Sequence, residues 1–387
     1  MGPLAGVRVV ELAGVGPGPF CAMTLGDLGA DVVRIDRLPV PGAGPAEGVD
    51  TLTDGILGRS RRSVALDLKH PDGMATALDL VAGSDALIEG FRPGVTERLG
   101  LGPDVCLERN PRLVYGRLTG WGQDGPLAPR AGHDLDFVAL AGALAPLGRR
   151  GTPPSAPLNL LGDFAGGGLL LALGIAAALL ETTRSGRGQV IDAAMVDGAA
   201  YLMTMMYELL GRGAWTEERE ANANDGGSHF YDTYETADGE YVAVAAMEPR
   251  FYAELLEKLG LADEDLPDQW DPQAWPALKQ RLTAVFRTRT RAEWIEVFEG
   301  TDACVAPVLR MSEAPGHPHL AARGTFTTVG GVTTPAPVPR FSRTAATAGP
   351  PAPAAGEHTD EVLTEWGIPA DRLAALHRSG AIGRAGS

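Results

Sequence analysis

The chain is expected to be an α/β protein: a parallel sheet covered by helices, followed by a smaller α+β unit. Three observations carry this. Strand-like and helix-like segments alternate through the first 120 residues, the rhythm of βα units that build a parallel sheet. From about Gly226 the texture changes to a hairpin followed by helices, which marks a second core. At 387 residues the chain also exceeds what one hydrophobic core usually holds.

The elements follow in order. The run Val7-Arg8-Val9-Val10-Glu11-Leu12 reads as the first strand. Residues 19–28 read as a helix, 31–35 as a second strand and 64–68 as a third. Between them, residues 38–60 are rich in Pro, Gly and Asp and read as a long surface loop. A helix over 71–81, a strand over 86–89, a short helix over 95–99 and a strand over 113–118 complete the alternation. Asp163 is expected to open a helix reaching about Thr183, which Ser185-Gly186-Arg187-Gly188 ends. A strand over 189–193 and a Met-rich helix over 196–210 come next. The methionines serve either core packing or an adaptable acyl-side surface. Strands over 231–235 and 241–245 flank Asp238-Gly239, a hairpin signal. Helices are expected over 249–259, 275–288 and 291–299, then an extended Pro/Gly/Thr-rich stretch over 315–356, then two short helices within 359–379.

Composition excludes several function classes. The net charge of −16 argues against a nucleic-acid partner, which would need a basic face. Cys21, Cys106 and Cys304 are scattered without a pairing pattern, as expected in a reducing compartment. No signal-peptide pattern precedes the first strand, and the expected location is the cytoplasm. The longest apolar stretch, residues 169–180, is shorter than a bilayer requires, so a buried helix and no membrane partner are expected.

The loop Gly14-Val15-Gly16-Pro17-Gly18-Pro19 follows the first strand as a dinucleotide fingerprint would, with Asp36 at a plausible distance for a ribose contact. The fingerprint fails on its prolines. Pro19 occupies the third glycine position, and Pro17 and Pro19 remove backbone donors a pyrophosphate would need. A proline-stiffened turn is expected instead.

Two titratable side chains beside glycine stand out: His133 in Gly132-His133-Asp134-Leu135-Asp136-Phe137, and Asp163 in Leu161-Gly162-Asp163-Phe164. Such groups on opposite sides of an activated carbon acid can take a proton from one face and return it to the other. With this pair, the chain resembles the family III CoA-transferase superfamily, and within it the α-methylacyl-CoA racemase branch. The resemblance rests on an ordered set of motifs. They include Leu25-Gly26-Asp27-Leu28-Gly29-Ala30-Asp31-Val32-Val33, Glu89-Gly90-Phe91-Arg92-Pro93-Gly94-Val95 and Gly120-Trp121-Gly122-Gln123-Asp124-Gly125-Pro126. Gly186-Arg187-Gly188-Gln189-Val190-Ile191-Asp192, Pro337-Val338-Pro339-Arg340-Phe341 and His358-Thr359-Asp360-Glu361 complete it.

The resemblance implies a large Rossmann-like domain built from both chain ends, with residues 1–200 as its first part and 330–387 returning to it. It also implies a small α+β domain over 225–310 and an interlocked homodimer. The implied substrate is a 2-methyl-branched acyl-CoA thioester, epimerised through an enolate, with no cofactor because CoA is part of the substrate. His133 would be the base for the S epimer and Asp163 for the R epimer. Asp134 either orients the imidazole or caps the helix that follows. Glu248 would reach the histidine from the partner subunit, or is a solvent-exposed acid at a helix start. Arg37, Lys69, Arg92 and Arg98 would hold the CoA phosphates. Leu66, Asp67, Leu68, Gly90 and Phe91 would surround adenine and pantetheine, and Gly132 and Phe137 complete the expected CoA contacts.

Several readings stay open. From its position alone, Asp163 is better suited to capping its helix than to catalysis, and capping would lower its pKa and oppose a role as an acid; the resemblance reverses that order. The run Gly166-Gly167-Gly168 would let backbone amides approach a ligand. Arg59, Arg61 and Arg62 either help bind phosphate or decorate the loop. Phe137 and Asp136 stand where the racemase branch carries tyrosine and asparagine. The rival reading is a CoA-transferase in which Asp163 attacks the acyl-CoA and forms a mixed anhydride. An inactive acyl-CoA-binding protein is the other.

Overall fold

The computed structural model describes residues 2–38 and 55–384, which form two compact units. The first contains Met1–Ala141, Leu158–Leu202 and Pro318–Ser387, and the second Gly142–Pro157 and Met203–His317. The smaller unit is therefore wider than the 225–310 span read from the sequence.

The first unit is a mixed α/β body around one sheet. Strands β1 (Arg8–Leu12), β2 (Asp31–Asp36), β3 (Arg62–Leu66), β4 (Ala86–Glu89), β5 (Val114–Thr119) and β6 (Gln189–Ala194) pair in parallel. A short strand, Ile382–Gly383, adds antiparallel to β3. The spatial order is Ile382–Gly383, β3, β2, β1, β4, β5, β6. The parallel part has the doubly wound order that reverses between β1 and β4, where such sheets open a ligand crevice at their carboxyl ends.

Strand alternation makes the two layers. Val9, Val32, Ala86, Ile88 and Val114 face the helices Pro17–Asp27 and Leu170–Ser185. Val10, Val33, Leu87 and Tyr115 face the helices Pro71–Ala82, Pro103–Arg109, Thr359–Glu365 and Ala370–Ser379. Each apolar side chain buried this way contributes roughly 1.5–3 kcal/mol.

Three local expectations are corrected, and one element was missed. Strand β3 ends at Leu66 instead of 68, because Asp67 turns the chain: its carboxylate accepts from Lys69 N–H and its carbonyl from His70 N–H. The helix Pro103–Arg109 went unread. The Met-rich helix breaks at Met203 into Met195–Leu202 and Thr204–Gly211, and Tyr201, Leu202, Met205 and Tyr207 are exposed. The helix expected from Asp163 begins earlier, with a π-helical segment Leu160–Leu169 that runs into Leu170–Ser185.

That continuous run, Leu160–Ser185, is by length and composition alone apolar enough to cross a bilayer. Its Leu171, Ala172, Ile175 and Ala178 pack into the sheet core. Leu169, Leu173 and Leu180 lie exposed, so the helix is buried on one face only.

The second unit carries an antiparallel sheet of β7 (Tyr231–Glu235), β8 (Tyr241–Ala245) and β9 (Val305–Pro307). The turn at Asp238-Gly239 joins β7 to β8, with Gly239 at φ 75°. Helices Pro249–Leu259, Trp275–Phe286 and Arg291–Phe298 cover it around an aromatic core of Phe230, Tyr234, Trp275, Phe286 and Trp294. Most of the expected 38–60 loop lies outside the described residues.

Candidate active site

The carboxyl ends of β2, β3 and β4 carry the residues expected to hold a nucleotide. Arg37 follows β2; Asp67, Leu68 and Lys69 follow Leu66 at the end of β3; Gly90, Phe91 and Arg92 follow β4. Arg98 lies on the short helix Val95–Leu99 just beyond. Arg37, Lys69, Arg92 and Arg98 are exposed. Among the described residues, none of the four has a carboxylate within ion-pairing distance. In a chain of net charge −16, unpaired cations grouped at one end of a sheet suit a polyanionic ligand.

Arg59, Arg61 and Arg62 are different, and the reading that they bind phosphate is corrected. Buried Arg59 forks onto Asp27 and reaches Thr334. Arg61, also buried, is spent on Glu11 at 2.5 Å and on the carbonyls of Pro19 and Leu57. Arg62 bridges Asp31, Glu361 and Glu365. These side chains hold the loop before β3 to the sheet.

After β5 the chain loops over the sheet edge to His133. Gly120 and Gly132 permit this, because a Cβ at either would lie 2.2 or 2.6 Å from the Phe137 ring. Phe137 is 2% exposed and meets Trp121 edge-on at 4.8 Å. The ring is therefore a core support beneath the His133 loop, not a surface offered to a ligand. His133 caps the helix Asp134–Leu140 with extended backbone and an exposed side chain. Its backbone N–H donates to Asp136 Oδ2 at 2.9 Å. An asparagine there could supply the same acceptor.

Asp134 turns the other way. It is 5% exposed, and its Oδ1 accepts the backbone N–H groups of Gly162 and Asp163, each at 2.7 Å. A Cβ at Gly162 would lie 2.8 Å from that oxygen, so glycine is what allows the approach. Asp134 thus neither orients the imidazole nor caps its own helix. It satisfies the orphan donors of the π-helical segment.

This overturns the capping reading of Asp163, whose side chain is left free. Its Oδ2 receives only a long 3.4 Å hydrogen bond from Asn159 and lies beside Gly16, whose Cβ position is 3.7 Å away. Burial pushes the Asp163 carboxyl above the usual carboxylate range. The negative charge of Asp134 adds to that, while Asn159 and His133 oppose it. Such a carboxyl can carry a proton closer to neutrality than an ordinary aspartate.

The Gly166-Gly167-Gly168 run is likewise spent on protein. Gly166 abuts the backbone of Gly198 and Ala199, Gly167 the Met195 side chain, and Gly168 the carbonyl of Pro17 and the ring of Phe20. These contacts seat the π-helical segment between the helices Met195–Leu202 and Pro17–Asp27, and on the latter Phe20 meets Phe164 at 4.6 Å with the rings tilted by 32°. The structure thereby brings His133, Asp134 and Asp163 together in the first unit. Asn159 and Gly16 were missed. Asn159 was findable from its four-residue spacing to Asp163 on one helix face; Gly16, a tertiary neighbour, was not.

Glu248 belongs to the second unit. It stands at the start of Pro249–Leu259 with an exposed carboxylate that makes no capping hydrogen bond. Burial first, and the charge of Glu248 second, push the nearby Cys304 thiol up. Among the described residues, no group of three or more His, Cys, Asp or Glu side chains is placed to hold a metal ion.

Comparison with known proteins agrees with this frame. Alpha-methylacyl-CoA racemase of Mus musculus is 49% identical over 378 residues, spanning 97% of this chain and 96% of its own. The succinyl-CoA–L-malate CoA-transferase beta subunit of Chloroflexus aurantiacus is 33% identical, over 94% of each chain. A CAIB/BAIF family protein from Brucella suis has a similar structure, with a TM-score of 0.78 at 27% identity, covering 94% of this chain and 99% of that one. Residues 4–359 match CoA-transferase family III as a whole, and the chain belongs to that family.

Proposed function

We propose that this protein interconverts the R and S epimers of 2-methyl-branched acyl-CoA thioesters. The observation that carries the reading is the pairing of exposed His133 with an Asp163 carboxyl left uncapped and raised in pKa. The identity to a racemase, 49% against 33% to a transferase, supports the same branch.

A thioester acidifies its α-hydrogen, since the enolate spreads charge onto the carbonyl oxygen. His133 takes the α-proton of the S epimer and Asp163 returns one to the opposite face; the roles reverse for the R epimer. A neutral imidazole is a fair base near neutral pH. Asp163 matches that task only because its environment raises it. Asp134 acts by fixing the backbone at Asp163. Arg37, Lys69, Arg92 and Arg98 hold the CoA phosphates, and the chemistry needs no further cofactor. We propose that Glu248 approaches the histidine from the partner subunit of a homodimer, and that the protein works in the cytoplasm.

Incubating one epimer of 2-methyldecanoyl-CoA in D₂O tests this. The expected result is α-deuterium uptake with drift to an epimer mixture. His133→Ala and Asp163→Ala should each stop proton removal from one epimer. Absence of both exchange and epimerisation would defeat the reading. Hydroxylamine trapping of an acyl group on Asp163 would then identify the transferase instead, and CoA binding without either activity an inactive binder.

A further inference from the structure

The buried ion cluster at the ends of β4 and β5 has no part in the chemistry above. Arg117, on β5, is 8% exposed in its side chain, and its Nε donates to Glu89 Oε1 at 2.9 Å. Glu89, the last residue of β4, is fully buried. Its second oxygen accepts the backbone N–H of Phe91 at 2.8 Å. The other arm of Arg117 reaches Glu97 Oε1 at 2.8 Å. Glu97 is on the helix Val95–Leu99, which left-handed glycines bound on both sides, Gly94 at φ 80° and Gly100 at φ 85°.

We propose that Arg117 is a positioning residue for the CoA phosphates: by bridging Glu89 and Glu97 it fixes both the loop that carries Arg92 and the helix that carries Arg98. This rests on the acyl-CoA reading given above. A five-residue helix between flexible glycines has little stability of its own. Something must hold it if Arg98 is to meet a phosphate in one geometry. Arg117 Nη2 is buried and, among the described residues, has no hydrogen-bond partner. The guanidinium therefore works inward, as a strut, and is not itself a phosphate ligand. Burying a Glu–Arg pair seldom raises stability over apolar packing, so its use here fits a positional role. Burial pushes the Glu97 carboxyl up, but the hydrogen bond and charge of Arg117, together with bonds from the Glu97 backbone and Thr96, outweigh this and leave it below the usual range. The Arg98 guanidinium folds back over Gly94, 3.0 Å from where a Cβ would stand, so a shift of this helix moves the cation directly.

The test compares a 2-methylacyl-CoA with the same acyl group on N-acetylcysteamine, which lacks the phosphates. Glu97 is 43% exposed in its side chain, so Glu97→Gln should fold while stripping the charge from its bridge to Arg117 and loosening the helix. The preference for the CoA thioester, as a ratio of kcat/KM values, is expected to fall roughly tenfold through KM, the scale of one charge-assisted hydrogen bond. Arg117→Lys, which keeps the charge but not the fork, should act in the same direction. A CoA preference in the parent protein that Glu97→Gln leaves intact overturns the strut. So does an equal loss on both thioesters, which would mark a general structural role. A parent protein that handles both thioesters alike overturns the CoA reading, and the strut with it.

Discussion

Replacing Asp134 with alanine removes one acceptor from two backbone N–H groups. Both hydrogen bonds are 2.7 Å long, and both link a carboxylate to the start of the π-helical segment. Charge-assisted bonds of this kind contribute about 1.5–3 kcal/mol each, so their loss costs about 3–6 kcal/mol. Part is offset, because Asp134 Oδ2 is buried without a partner among the described residues, and deleting it returns roughly 1–2 kcal/mol of desolvation cost. The net expectation is about 2–4 kcal/mol of lost stability. Hydrogen exchange should speed up at the amides of Gly162 and Asp163 before the rest of the sheet loosens. Since the charge of Asp134 helps raise the Asp163 carboxyl, the acid limb of the pH–rate profile for the R epimer, where Asp163 is the base, should move to lower pH. Urea unfolding and amide exchange check the first two effects, and epimerisation rates the third. A variant with parent-like stability and unchanged exchange over residues 160–169 would refute the capping argument.

Three further outcomes are expected. Because Asp163 is raised in the folded state, its ionised form costs stability above its raised pKa, and the cost disappears below the ordinary carboxylate range. Asp163→Asn should therefore unfold at higher temperature than the parent at roughly pH 8, with the gain vanishing toward pH 3; equal melting temperatures across that window would contradict the shift. Arg61→Ala strands the buried Glu11 carboxylate and should cost about 3–5 kcal/mol in urea unfolding, whereas Glu11→Leu with Arg61→Met should cost less, leaving only the Pro19 and Leu57 carbonyls short of a donor. Arg92→Ala should raise KM for acyl-CoA with kcat held, and should weaken the salt dependence of KM; a salt profile identical to the parent would remove Arg92 from the phosphate contacts.

The parallel sheet was legible because branched residues recur in short runs between amphipathic helices, as at Val9-Val10 and Val32-Val33. The pair His133 and Asp163 was visible as titratable groups beside glycine. What escaped depends on which groups meet in space. The carboxylate that satisfies the donors at Leu160–Leu169 is Asp134, on a segment far away in sequence, and a local reading assigns capping to the nearest acid, Asp163. The same limit explains Arg59 and Arg61: their partners Asp27 and Glu11 are on other elements. Phe137 was expected to touch the ligand from the family resemblance, yet Gly120, just past the preceding strand, and Gly132 enclose its ring. The strand Ile382–Gly383 has two residues and leaves no periodicity to read.

That short strand has a consequence for how the chain is made. It covers the free edge of β3, and Ala381 carbonyl accepts the N–H of Asp67, at the turn that leads to Lys69. At synthesis rates of about 5–20 residues per second, β3 waits tens of seconds for this partner. During that interval its backbone groups are an open template for other chains. Completion of the sheet is thus a late, long-range event in biogenesis. Shortening the chain before Ala381 should show first as aggregation of newly made protein, ahead of any change in the chemistry at His133 and Asp163.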